Sequence, residues 1–499
     1  MYGLHKTNRQ FFGAPGSEDG YFPTADTVFL GRDIRLEDWT SSPQLVHEVI
    51  HHLQSVGTLF GRFHDLILSN RIMLTIEGAR FLAKKHKKLY LTLREWRDDV
   101  GEDRHETSKV LNRTVGNCDR LERADANFLG VHMAVLPGYP YKQGVPTSGL
   151  THFPEVAARE STLHPRVDGL TLGALSLMES FAVYWSVWLL RFLIPQRFNA
   201  ELFLKECGCS GNDSDASNPY FGPLIYVQRA LGDKGLKLFP LAVDIALNGF
   251  LPEPTSAILT KVEMVFIGKD GKIRRADGIE PTHKWEDVHP GWRFHRIIEL
   301  WKSNEMLKNV ECLEDDWYPC ESDMDWLVHE TCGRLAWSTP SENWASYIKR
   351  KEDAHEEYQR LLRSVMNCRQ LSNGVLAFPL QYRFKLEQEG LFWPMAVLCP
   401  SFDYSFIAPN RVDTVVGVLN SFLLSHRILH FIEDLYPYWE EGFGCPIAYK
   451  QCDFLCDASR AQKEACFRGQ FTRKRCFFRG FMKKHFVDVS KVVDINRRY

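Results

Sequence analysis

The sequence predicts a mainly α-helical α+β protein, with a multi-helix core and a smaller antiparallel β component in the second half. Three observations lead there. Apolar residues recur at helical spacing through long windows of the N-terminal half. An alternating run from Leu259 to Arg275 turns at Asp270-Gly271, a hairpin signal. Gly- and Pro-rich stretches separate the two patterns. With 499 residues, 44% apolar and 25% charged, the chain has room for two or three hydrophobic cores and lies far from a disordered composition.

Taken in order, residues 1–43 are rich in Gly, Pro and Asp and read as an irregular N-terminal arm. Pro43 then opens a helical pattern from Gln44 to Leu68, carried by Val46, Val49, Ile50, Leu53, Phe60, Phe63 and Ile67. Further helices are expected over Ile76–Lys88 and around His105–Val115, with a loop from Leu136 to Gly149. Residues 170–194 are strongly apolar but carry Glu179 and Arg191. A membrane span needs about twenty largely apolar residues, so this reads as a buried core or interface helix ended by Pro195, without membrane insertion. An unpaired buried carboxylate is expensive, so Glu179 should lie at an exposed edge or meet a donor.

These segments form a helical domain, 44–206, followed by a linker, 207–219, with the sequence CGCSGNDSDASNP. A mixed α+β domain, 220–440, is expected to contain the Asp270-Gly271 hairpin and a helix over Ser341–Cys368, with helix-start residues Thr339-Pro340-Ser341-Glu342. Strands and turns over Leu376–Phe406 and a helix over Val412–Leu435 follow. Residues 441–499 form a Cys-containing basic C-terminal segment.

The formal charge of −2 conceals an asymmetry. Residues 460–499 carry twelve Lys or Arg against three acids, a surplus of +9 that leaves −11 on the rest. Arg468, Arg473, Lys474, Arg475, Arg479, Lys483 and Lys484 supply charge for phosphate contacts, and Phe471, Phe477, Phe478 and Phe481 could stack on bases. The same residues would equally dock a basic helix on an acidic body. The 33 Phe, 17 Tyr and 13 Trp suit large cores or a subunit interface, so self-association into a homo-oligomer is an expectation. Thirteen cysteines without small-domain density, and no secretory pattern at the N-terminus, point to reduced thiols in the cytoplasm or nucleus.

One motif carries metal chemistry. In QLVHEVIHHL, His47 and His51 stand at i and i+4, one above the other on a helix, where they could share one zinc ion. Glu48 beside them could take a proton from water. A third ligand is needed; His64 qualifies if the helix breaks near Gly57 or Gly61, and Glu77 is another candidate. At about 100° per residue, however, His47 and His51 fall with Gln44, Ser55, Thr58 and Arg62, opposite the apolar stripe, which is the pattern of a solvated helix face. Over these few residues the string resembles the zincin metallopeptidase signature. It departs from the longer H-E-x-x-H-x-x-G-x-x-H form, since position 54 is Gln and position 57 is Gly.

Other metal-capable groups lack such spacing: His283, Glu286, His289 and His295 in a Trp-rich turn, His132 and His152 around a Tyr-bearing loop, and Cys312, Cys320, His329 and Cys332 among acids that would raise thiol pKa values. Cys445, Cys452, Cys456, Cys466 and Cys476 could pin the tail through a structural zinc, but interleaved phenylalanines favour buried thiols.

The leading expectation is therefore a nonenzymatic structural or interaction protein without a cofactor, self-associating, whose residues 460–499 contact nucleic acid without base specificity. The alternative is a zinc-dependent hydrolase or peptidase built on His47, Glu48 and His51. The two diverge at one point: an interaction protein should place no third ligand near those imidazoles, whereas a hydrolase must.

Overall fold

The computed structural model describes residues 20–22, 27–29, 43–87, 89–91, 93, 105–130, 165–167, 170–193, 220–249, 285–303, 306–310, 321–352, 359, 362–363, 365–367, 369, 396–398, 403–405, 483 and 492–494. The Leu259–Arg275 hairpin, the linker 207–219, the loop at Leu136–Gly149 and the helix over Val412–Leu435 lie outside these residues.

The helical core is present. After two short strands in the N-terminal arm, β1 (Gly20–Phe22) and β2 (Thr27–Phe29), come α1 (Pro43–Gly57) and α2 (Leu59–His86). Pro43 sits in the first turn of α1, where its missing N–H is no loss. The single helix expected over Gln44–Leu68 is broken at Thr58, whose backbone is extended and whose hydroxyl accepts from the Gly61 N–H as the N-cap of α2. The same hydroxyl donates to the Gln54 carbonyl, and the Leu59 N–H donates to the Asn248 side chain, so these groups at the break have partners. The lack of a Cβ at Gly61 permits the fold-back, since one there would lie 2.4 Å from the Ser55 carbonyl oxygen. Lys84, Lys85 and His86 in the last turn of α2 complement the helix dipole.

The chain continues through β3 (Leu89–Leu91) and α3 (His105–Leu129), then β4 (Arg166–Val167), β5 (Leu170–Thr171) and α4 (Ala174–Leu193). Gly130, at φ 75°, ends α3 against Gly173; a Cβ on Gly173 would lie 2.2 Å from the Leu129 carbonyl oxygen. This close backbone approach fixes where α4 starts. Next come α5 (Gly222–Leu247), interrupted by non-helical backbone at Gly232, then α6 (Trp285–Val288), α7 (Pro290–Ser303), α8 (Glu321–Leu335) and α9 (Pro340–Arg350). The Thr339-Pro340-Ser341-Glu342 start of α9 is a full capping box.

Of the expected antiparallel β component of the second half, the described residues hold only one pair of three-residue strands within Leu376–Phe406, too little to form a layer. Their strands are two or three residues long, including β6 (Ala396–Leu398), β7 (Asp403–Ser405) and β8 (Val492–Asp494). In the order β1-β2-β6-β7, half the strands come from the arm expected to be irregular, and β2 pairs with β6 in parallel. Short β segments add to a helical framework here rather than building a layer of their own.

Among the described residues, a hydrophobic core runs from Ile50 to Val365 and takes residues from both sides of the 207–219 segment. Helix α1 packs against α4 and α2, α2 against α3, and α5 against α4 and α7. The functional consequence is at α1. Its apolar residues Val49, Ile50, Leu53 and Val56 are buried, as are His47, His51 and Ser55 from the side expected to face solvent, together with Glu48, His52 and Gln54. The solvated-face reading is thus overturned: α4 covers the polar side and presents buried Ser176, Glu179 and Ser180 within a largely apolar helix. Among the described residues no helix is long and apolar enough to cross a membrane.

Candidate metal centre

Three side chains from two helices converge. His47 and His51 come from consecutive turns of α1, and Glu179 comes from α4. Nε2 of His47 lies 3.2 Å from Oε2 of Glu179, Nε2 of His51 lies 3.3 Å from the same oxygen, and the two Nε2 atoms are 3.1 Å apart. The imidazole rings meet edge to face, at 84°. Among the described residues this is the one group of three or more His, Cys, Asp or Glu side chains that converges in this way.

The triangle has the dimensions of a metal-ligand face. With bonds of about 2.0–2.1 Å to nitrogen and oxygen, a tetrahedral zinc ion sets its ligands roughly 3.3–3.4 Å apart. The donor set, two imidazoles and a carboxylate, suits zinc with one position left for water or substrate. Charge gives a second fit. Glu179 is 1% exposed and Glu48 8%, beside imidazoles 6% and 1% exposed. Two ionised carboxylates with two neutral imidazoles total −2, which a divalent cation would balance where water cannot.

The protonation equilibria show the same demand for positive charge. Burial alone would push the His51 pKa down, but the Glu179 carboxylate, with help from Glu48 and Gln54, leaves it above its ordinary value. Burial likewise pushes Glu179 up, and the two imidazoles outweigh it, holding the carboxyl at about 2. Without a metal, a proton takes the cation's place.

Unmet polar atoms surround the triangle. Among the described residues, Oε1 of Glu179, Oε2 of Glu48 and Nδ1 of His47 are buried without a hydrogen-bond partner. His51 is better supported, its Nδ1 lying 2.8 Å from Oε1 of Gln54. Half-buried Tyr220, just ahead of α5, places its ring 6.2 Å from that of His47 and forms the least enclosed part of this group.

The side chain that joins the two imidazoles is therefore neither of the two expected as a third ligand. His64 is buried and bonds through Nδ1 to Asp125, at 2.6 Å, while Glu77 is exposed on α2. The helix does break at Thr58, yet the turn carries His64 to α3 instead. Glu179 was missed because sequence spacing cannot relate residues 132 apart. The signal available was its cost: a carboxylate inside an apolar helix requires a cationic partner, and two histidines awaited a third ligand.

Among the described residues, the remaining candidates do not assemble. His289 is buried and stacks on Phe128, with Nδ1 accepting from the Trp292 N–H; His295 bonds to the Tyr226 hydroxyl; Glu286 is exposed. Cys332 is buried whereas His329 is largely exposed. His132, His152, His283, Cys312, Cys320 and the cysteines from Cys445 to Cys476 lie outside the described residues. Of the tail residues, Lys483 is exposed, and Arg468, Arg473, Lys474, Arg475, Arg479 and Lys484 lie outside the described residues. Compared with known protein families, curated proteins and solved structures, the chain matches none.

Proposed function

We propose that the chain is a zinc-dependent hydrolase acting on a carbonyl centre such as a peptide or other amide bond, with His47, His51 and Glu179 as ligands and Glu48 as general base. The observation that carries this reading is the convergence of Glu179 on the His47–His51 pair at ligand-ligand distances, with a second buried carboxylate beside it. A purely structural helix pair gains nothing from burying two acids and two imidazoles together. An apolar filling of the same volume would be at least as stable.

Zinc would supply a Lewis acid for the carbonyl oxygen and a lowered pKa for water at the open position. Glu48 adjoins His47 and stands three residues before His51, on the same helical face as His51, yet it is not one of the three groups that converge, so its carboxylate borders the ligand triangle without belonging to it. Its unpartnered Oε2 can accept the proton of an attacking water and return it to the leaving group. Burial lowers the local dielectric, which strengthens these charge interactions relative to water. Tyr220, beside His47 and half-buried, supports entry of substrate from the α5 side.

Glu48→Gln tests the assignment because it changes one oxygen to an amide nitrogen and leaves all three ligands. The variant should keep its zinc and lose hydrolysis of a mixed peptide substrate by a factor of 100 or more, on the order expected for a lost general base. Full activity in the zinc-loaded variant would remove Glu48 from the chemistry. Zinc binding with no hydrolysis by the unsubstituted chain across peptide, amide and ester substrates would leave a structural metal site.

A further inference from the structure

Gln54 stands three residues beyond His51, where the longer zincin-type signature has glycine. Its side chain is buried, and both ends are engaged. Nε2 donates to the Met178 carbonyl at 3.0 Å, and Oε1 lies 2.8 Å from Nδ1 of His51. Met178 is the residue immediately before the third ligand.

The orientation of this amide follows from its partners. A backbone carbonyl can only accept, so the amide nitrogen must face Met178. The amide oxygen then faces His51, and it too can only accept. Nδ1 of His51 must therefore carry a hydrogen, which leaves Nε2 as the lone-pair nitrogen of the neutral ring. That nitrogen is the one aimed at His47 and Glu179. The Gln54 backbone is itself fixed, its carbonyl accepting from both the Thr58 hydroxyl and the Thr58 N–H.

We infer that Gln54 is the positioning residue of the metal centre, fixing the His51 tautomer while tying α1 to the α4 backbone that delivers Glu179. This inference rests on the proposed metal centre. It also accounts for the departure from the longer motif. There the third ligand follows three residues after a glycine that has no side chain to offer; here position 57 is Gly, the third group comes from the distant α4, and the side chain at 54 makes the connection. Supporting partners of this kind change metal affinity by about 10- to 100-fold when removed.

The test measures zinc affinity of the full chain by chelator competition, with the melting curve of the metal-free protein recorded alongside. Gln54→Met keeps the length and burial but neither hydrogen bond. It should weaken zinc binding at least tenfold while the metal-free protein still unfolds cooperatively. Gln54→Glu restores an acceptor for the His51 Nδ1–H and should bring affinity back to within about fivefold of the original, on the scale expected for such support. If the unsubstituted chain binds no zinc, the metal centre itself fails. If it binds zinc and Gln54→Met binds within twofold of it, the positioning role fails and the centre stands. A Gln54→Glu variant no better than Gln54→Met would overturn the orienting of His51, including where Gln54→Met proves poorly folded.

Discussion

Glu179 is a carboxylate set within an apolar helix, and its burial is tolerable only because two imidazoles face it. The same logic of environment over sequence neighbourhood applies to Cys332. Burial raises its thiol pKa, the Arg293 guanidinium pulls it down, and Glu342 adds to the rise, giving about 11. A raised value means the folded state favours the neutral thiol: stability from this group is complete below the ordinary thiol pKa and is lost as pH rises toward 11. Native protein at pH 8 should therefore resist alkylation at Cys332, with labelling appearing only in denaturant; stoichiometric labelling of the folded chain at that pH would contradict the placement. The sequence anticipated the direction from nearby acids, but the acid that contributes is Glu342, and the principal cause, burial, depends on α5 and α7 packing against α8. Likewise, the closeness of the His47 and His51 imidazoles was legible from their i, i+4 spacing. Gln54 registered only as a mismatch, because its two partners lie on different helices.

Helices were the most legible elements, since apolar periodicity records which side of each one is covered. Periodicity did not reveal that α1 is covered on both sides, because a buried polar face has the same pattern as a solvated one. What distinguishes them is the partner, here α4. The break between α1 and α2 also depends on distant residues. Arg369 is fully buried, donates to the Gly57 carbonyl at the end of α1, and pairs with Asp244 of α5 at 2.9 Å. Asp244 also accepts from Asn248, which holds the first N–H of α2. Replacing Arg369 with Ala strands a buried carboxylate, and about 3–5 kcal/mol of stability should be lost in urea unfolding. Pairing it with Asp244→Asn should recover part of that loss by removing the stranded charge. A single variant within about 0.5 kcal/mol of the parent, the size typical of neutral surface changes, would show that this junction does not depend on the pair.

At the scale of the molecule, a core of the described residues draws on segments before and after 207–219, and α1 packs against α2 and α4 within it. The sequence showed the helical class and the charge asymmetry of the chain, both of which are sums over many residues. It did not show which distant segments meet, and the candidate site depends on one such meeting. The central claim is that Glu179 completes a zinc site with His47 and His51. Its most direct test is elemental analysis of the full-length chain after zinc loading and dialysis, beside Glu179→Ala that retains the parent's helical circular-dichroism signal. The expected result is about one zinc per parent chain and much less than one in the variant. A parent chain that emerges free of zinc, or a variant that retains it in full, would contradict the account.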